Sequence, residues 1–343
     1  MPVSNFMKKK IAIIGAGLAG FVCADHLSSD FEISLFDKSR GMSGRLSTRR
    51  AQSGETIFAF DHGAQYFSAR SAAFKDWLEP LEANGHLHRW QPRVVTISAT
   101  GSVPRPTSEK FVFSPSMNSV GKVKFSGWTH NQLYLDSPVA EIDGVPGAWH
   151  LNCGKSFFGP FEHVVLAVPA PQALALLPPH VDFERRIQGV QMLGCHTLMV
   201  GYLPQNVIAA DWHCAFFDDA LLGFAAFNRQ KPGRGGGMSL VVQTRHDWSQ
   251  AHIEDELEGV GELMGRRFQD LTGLSPATDG YYRLHRWRYA SAKQPAGVKY
   301  FYDDAMKLSA IGDWCLGSKV EDAFTSGYSL AKQLNAIASS YSS

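Results

Sequence analysis

At 343 residues the chain exceeds an ordinary single core and is short for three, so two interleaved domains are expected. A net charge of +1, with 19% charged residues and no basic run interleaved with aromatics, removes the attraction that dominates nucleic-acid binding. No apolar stretch approaches the roughly 20 residues that span a membrane. Glycines interrupt the run after Lys8-Lys9-Lys10 before a secretory core can form, so a cytoplasmic location is expected. The five cysteines (Cys23, Cys153, Cys195, Cys214, Cys315) are widely spaced and never in C-x-x-C, which predicts buried thiols rather than disulfides or a zinc site.

The first element is an unalternating apolar strand, Ile11 to Ile14, that runs into Gly15-Ala16-Gly17-Leu18-Ala19-Gly20 and then a helix. Such a strand is buried on both faces, as at the centre of a parallel sheet. Gly15 permits the tight turn, Gly17 the approach of a pyrophosphate, and Gly20 close helix packing, with the helix N-terminus facing the phosphate. A second strand, Phe31 to Phe36, ends at Asp37, near the roughly 20-residue offset of a ribose-binding carboxylate. The basic, glycine-bearing loop Lys38 to Arg50 suits the longer FAD, and Arg45 is its expected guanidinium; a solvated basic loop is the alternative.

Phe60 to Arg70 sets small residues beside Gln65, Tyr66 and Phe67, which by chemistry could wall a flat ring or be core. A helix is predicted from Ser71 to the Asn84-Gly85 stop, then a strand over Arg93 to Ser98, then loop or edge structure over Ser102 to Ser119. Strands at Gln132 to Leu135, Val139 to Ile142 and Trp149 to Leu151 are predicted to form a meander, with turns at Asp143-Gly144 and Pro146-Gly147. His163 to Val168 is an apolar strand stopped by Pro169. Met192 to Gly201 and Ser239 to Thr244 read as strands, Gly233 to Gly237 as a flexible connection, and His252 to Phe268 as an amphipathic scaffold helix. Near the C-terminus, a short strand ends at Gly312-Asp313, and a helix follows from Val320. That carboxylate could bind a polyol while the positive helix end faces an electron-rich ring.

Together these elements predict an α/β fold. A Rossmann-type FAD-binding domain (1–70, 130–170 and 287–343) carries an inserted mixed β-sheet and helix substrate domain (71–129 and 171–286). Phe36-Asp37-Lys38-Ser39-Arg40-Gly41, Gly44-Arg45, Gly63-Ala64-Gln65-Tyr66-Phe67, Ala167-Val168-Pro169, His285-Arg286-Trp287 and Gly312-Asp313-Trp314-Cys315 resemble the bacterial renalases within the amine-oxidase-like superfamily, from about residue 9 to 335. The resemblance implies a p-hydroxybenzoate hydroxylase-like fold and one FAD. The implied reaction oxidises aberrant 2- or 6-dihydro-NAD(P) isomers to NAD(P)+, with hydride passing to flavin N5 and O2 becoming H2O2. It places Ala19, Asp37, Lys38, Arg45, Gln65, Tyr66, Leu133, Asp313 and Val320 near FAD, beside Gly15, Gly17, Gly20 and Gly312. Tyr66, Phe67, Ser68, Ala69 and Arg70 would lie beside the substrate. The chain departs from the family at Ser43-Gly44, where two glycines are usual, at Ser318-Lys319 and at Ser116-Met117.

Aromatisation of a dihydropyridine needs orientation rather than a base, so no catalytic acid or base is assigned. His62 and His285 are read as structural, and His86 and His88 as surface residues without a metal. FAD is expected to be noncovalent, since Cys315 is the only cysteine C-terminal to Cys214. Three alternatives stand beside this reading. A flavin amine oxidase would use an aromatic pair to which Trp287 or Tyr289 could contribute, together with a lysine; a non-catalytic FAD-binding redox sensor would need neither; an NAD dehydrogenase leaves Gly312-Asp313 without a role. The sequence is compatible with either dihydronicotinamide isomer, with NAD or NADP, and with any oligomeric state.

Overall fold

Ile11 to Ile14 are buried, and their strand Lys9–Ile14 has a parallel neighbour on each side, Phe31–Phe36 and His163–Leu166. In the computed structural model, which describes residues 8–128, 131–206, 208–277 and 279–340, this strand lies within a six-stranded sheet. The order is Phe301–Asp303, Leu308–Ala310, His163–Leu166, Lys9–Ile14, Phe31–Phe36 and Gln132–Tyr134; only the pairing of the first two is antiparallel. The order reverses at the first strand, and in open parallel sheets the crevice beyond the strand ends at such a point is where ligands bind. The helices Leu18–His26 and Val320–Ser340 meet backbone to backbone at Gly327, where a Cβ would overlap the Ala19 carbonyl. Elsewhere Ala12, Ile14, Phe36, Val164 and Leu166 join Trp149, Leu151 and Phe161 in one core.

These elements form one compact unit, Met1–Gly44, Gly121–Met192 and Ala292–Ser343. The other is Arg45–Val120 and Leu193–Ser291. Its seven-stranded sheet runs Tyr281–Gln294, Gln191–Tyr202, Met238–Thr244, Leu222–Phe227, Cys214–Phe217, Val94–Ser98 and Gly101–Arg105. The last strand is exposed throughout and carries Pro104, a residue that a sheet tolerates at its edge. The helix Leu257–Thr272 adds Val260, Met264 and Phe268 to the core on this sheet.

The unit boundaries differ from those expected. Residues 45–70 belong to the second unit, because the hairpin Thr48–Ser53 and Thr56–Asp61 buries Phe58 and Phe60 against Met199 and Val241. Residues 171–192 belong to the first, where Ala173, Val181, Phe183, Ile187 and Val190 enter its core. Residues 121–128 also join the first, with Gly121 against Met42 and Lys124 paired to Asp25 at 3.3 Å. Residues 287–291 continue a strand of the second unit's sheet.

Other elements also differ. Gln132–Tyr134 extends the parallel sheet instead of opening a meander, pairing Leu133 with Leu35. The meander is Glu141–Val145, Ala148–Cys153 and Ser156–Phe161. Its first turn is Pro146-Gly147, whereas Gly144 lies within a strand opposite Trp149. The predicted helix over His252 to Phe268 starts later, at Leu257, and runs on to Thr272. His246–Ala251 ends at His252, and a new helix starts after Glu256, because the acidic run turns outward: Asp255 meets His252 at 2.8 Å and Glu254 pairs with Arg288.

Candidate functional site

In the first unit the candidate site residues follow the carboxyl ends of parallel strands. Gly15 N donates to the Phe36 carbonyl at 2.7 Å and Ala167 N to the Ile14 carbonyl at 2.7 Å, so adjacent strand ends are tied together. Gly15 has φ +113, and a Cβ there would collide with the Ala167 backbone; one at Gly20 would overlap the Gly15 carbonyl oxygen. Gly17 is different. It caps the helix Leu18–His26 without any side-chain bond, no acid occupies the first turn, and nothing lies within 4 Å of where its Cβ would be. An uncapped helix N-terminus with open space before it fits a pyrophosphate.

Asp37 stands beside this opening, with Oδ2 accepting from Ala16 N and Oδ1 from Ser39 N, both at 2.8 Å. A carboxylate so fixed retains lone pairs for ribose hydroxyls. Lys38 is exposed, and Ala19 lies buried in the helix's first turn. Ser43 donates its backbone N–H to Ala16 O at 2.8 Å and has φ +84, the left-handed region that favours glycine. Gly44 comes within 3.1 Å of Gly17, measured from its would-be Cβ. Leu133 and Val320 are half-buried.

Gly312 is covered by the Trp314 indole, whose Nε1 donates to Val168 O at 3.0 Å, and Asp313 is buried in the turn that follows. The expectation of a bare positive helix end at Val320 needs correction. Glu321 and Asp322 occupy its first turn, and Asp322 accepts from Lys319 N at 2.9 Å, so side-chain charge offsets the dipole. With that exception, the donor set fits the adenosine and pyrophosphate of an FAD.

The second unit holds the remaining candidates. Arg45 donates through Nη1 to Ala290 O at 3.3 Å, and a Cβ at Gly63 would overlap the Arg45 carbonyl oxygen. The Gln65 amide points inward, donating to Asp61 O and accepting from Lys231 Nζ at 3.0 Å, so its side chain is engaged within the second unit. Phe67 is also core, packed on Phe74, Phe111 and Phe113. Tyr66 is half-buried between Trp90 and Phe224, and burial pushes its phenol up to about 12. Ser68 and Ala69 are half-buried and Arg70 is exposed.

A buried charge cluster was not foreseen. Asp61, fully buried, accepts through Oδ2 from Lys231 at 3.0 Å and from Arg234 Nη2 at 2.8 Å. Its Oδ1 accepts from Thr48 at 2.6 Å and from Met117 N at 3.1 Å. Lys231 spends its three protons on Asp61, Gln65 and Asn228. Burial opposes the charge on Asp61, but Lys231 and Arg234 outweigh it and hold the carboxyl far below its usual range. Gly233 to Gly237 is therefore no mere flexible connection, since it carries an anchored Arg234. The only sequence signal was a lysine and an arginine flanking glycines.

His62 forms a second cluster. Its ring lies 4.9 Å from His285, edge on, and 5.2 Å from the stacked Trp287, whose Nε1 donates to His62 O at 2.9 Å. Trp287 is thus fixed in place by His62. Burial first, then the Arg49 charge, lowers His62 to about 4; burial first, then cationic neighbours, lowers His285 to about 3. Both imidazoles are neutral at physiological pH.

A family profile described as an NAD(P)-binding Rossmann-like domain matches residues 13–81. Renalase of Mus musculus is 24% identical over 300 residues, spanning 82% of this chain and 84% of its own. A candidate protoporphyrinogen oxidase from Exiguobacterium sp. 255-15 has the same fold, with a TM-score of 0.77 at 11% identity over 96% of this chain and 99% of its own. Cyclohexylamine oxidase of Brevibacterium oxydans IH-35A gives 0.71 at 12% identity over 97% and 100%. The fold, with the sequence likeness to renalase, makes the chain a Rossmann-type FAD-dependent oxidoreductase. Within that class the chain is similar in sequence to renalase.

Proposed function

We propose that this oxidoreductase oxidises 2- and 6-dihydro isomers of NAD(P): one dihydronicotinamide, one O2 and one proton give NAD(P)+ and H2O2. The observation that carries the reading is the state of the second unit's bases. Lys231 has no free proton position or exposed face, and His62 and His285 are neutral, weakly basic imidazoles. Forming an aromatic pyridinium needs no base, so a site equipped to orient and exclude water suffices. When bound, FAD supplies a two-electron acceptor.

We assign noncovalent FAD to Gly15, Gly17, Ala19, Gly20, Asp37, Lys38, Arg45, Leu133, Gly312, Asp313 and Val320. In this assignment Gly17 admits the pyrophosphate and Asp37 holds the ribose. Tyr66, with Ser68, Ala69 and Arg70, is assigned to the substrate. Gln65 supports Tyr66 from behind through Asp61 and Lys231.

Anaerobic mixing of holoenzyme with a substrate panel tests the reading. The 2- and 6-dihydro isomers should bleach the flavin rapidly, ordinary 4-dihydro NADH far more slowly, and primary amines not at all. Air should restore the colour and release H2O2. Fast bleaching by an amine, with none by the isomers, would replace this reading with an amine oxidase.

A further inference from the structure

We infer that the second unit carries a phosphate-binding site built from Arg49, His62, Arg283 and His285 around the Trp287 indole, and that it receives the phosphate groups of a dinucleotide substrate. Tyr281, Arg283, His285 and Trp287 alternate along one strand and so share a face. Arg49 lies opposite Phe60 in the hairpin, and directly opposed residues also share a face. The two faces meet: Phe60 stacks on Tyr281 at 5.2 Å, and His62 contacts both His285 and Trp287.

The strand's opposite face shows what is missing. There Arg286 donates to Ile253 O and lies 3.6 Å from Glu254, which also pairs with Arg288. On the hairpin-facing side, neither the Arg49 nor the Arg283 guanidinium has a hydrogen-bond or ion-pair partner among the described residues. The neighbouring carboxylate, Asp61, is already saturated by Lys231, Arg234, Thr48 and Met117. A second observation is independent of charge. His62 is 5% exposed, yet its Nδ1 has no hydrogen-bond partner. A buried polar atom is costly to leave unmatched, and a ligand oxygen would satisfy it.

Two unpaired guanidinium forks beside neutral imidazoles match a phosphate and repel an ammonium. The dinucleotide assignment rests on the proposed substrate, but the phosphate chemistry does not. The test therefore has two arms. In the first, imidazole NMR of the holoenzyme is followed during titration with inorganic pyrophosphate. His62 and His285 signals should shift saturably in the wild type and stay still in an Arg49→Gln/Arg283→Gln variant whose flavin spectrum and thermal midpoint match the wild type; Arg49→Lys and Arg283→Lys serve as the comparison if that variant does not fold.

In the second arm, anaerobic flavin reduction is measured with dihydro-NAD(P) isomers and with the phosphate-free dihydronicotinamide riboside. The variant should raise the Kd for the dinucleotide by roughly tenfold. The limiting rate should hold, and riboside binding should not change. Unshifted imidazoles in the wild type overturn the site. Shifted imidazoles with equal dinucleotide and riboside losses overturn the dinucleotide assignment and leave free phosphate as the ligand. Shifted imidazoles with no reduction by any isomer uphold the phosphate site and sink the proposed substrate.

Discussion

Asp61 is a single carboxylate facing two buried cations, and that imbalance makes it the residue on which the second unit most depends. Removing its charge would leave Lys231 and Arg234 buried and uncompensated, a change that costs about 3–5 kcal/mol. Asp61→Asn should therefore lower the denaturant midpoint sharply, while Asp304→Asn, at an exposed pair with Lys307, should change it little. The pH dependence has a definite sign. The folded carboxyl titrates below its unfolded value of about 3.9, so its stabilisation is complete above about pH 4 and is lost as pH falls toward the lowered folded value. Wild-type stability should decline more steeply than that of Asp61→Asn between about pH 4 and 2, measured by urea unfolding; parallel declines would mean the cluster is not charged as described. None of this was legible in the sequence, because Asp61, Lys231 and Arg234 are joined only by the hairpin's packing on a distant sheet.

At the scale of elements, the strand, turn and helix around Gly15 to Gly20 were legible, because contiguous apolar residues and glycines at fixed offsets report a central parallel strand locally. Gln132–Tyr134 was misread because three residues carry no period of their own, and the sheet they join is determined by partners far away. The same turn separates cofactor contact from fold. Gly17→Ala adds a methyl into open space, so the apoprotein's thermal midpoint should stay nearly unchanged while FAD affinity falls. Gly20→Ala should unfold the region, since its methyl meets the Gly15 carbonyl. Asp37→Ala should weaken FAD by about 1.5–3 kcal/mol, roughly 10- to 150-fold, and Glu32→Ala much less. Titration of apoprotein with FAD measures both, and equal losses would displace Asp37 from the ribose.

At the scale of the molecule, the sequence divided the chain by its chemistry, while the structure divides it by packing. Residues 45–70 carry flavin-like motifs, yet Phe58 and Phe60 bury themselves in the second unit. Thiol burial, by contrast, was anticipated and extends across both units, and it bears on how FAD is held. Covalent attachment through sulfur needs a thiolate. Burial raises Cys23, Cys214 and Cys315 to about 12 and Cys195 to about 11. Cys315 follows the Gly312-Asp313 turn but has no exposed surface, and the nearby Asp313 charge further disfavours its ionisation. Cys153, the half-buried exception, ends a strand of the three-stranded meander and also has a raised pKa. No cysteine in the chain therefore combines an accessible surface with an ionised sulfur at neutral pH. Acid precipitation of the yellow holoenzyme should leave a colourless pellet and all of the FAD in the supernatant. Cys315→Ser should bind the same amount of flavin with an unchanged spectrum. Flavin that remained with the washed wild-type pellet but not with Cys315→Ser would mean this thiol becomes reactive when the cofactor binds, against everything its burial implies.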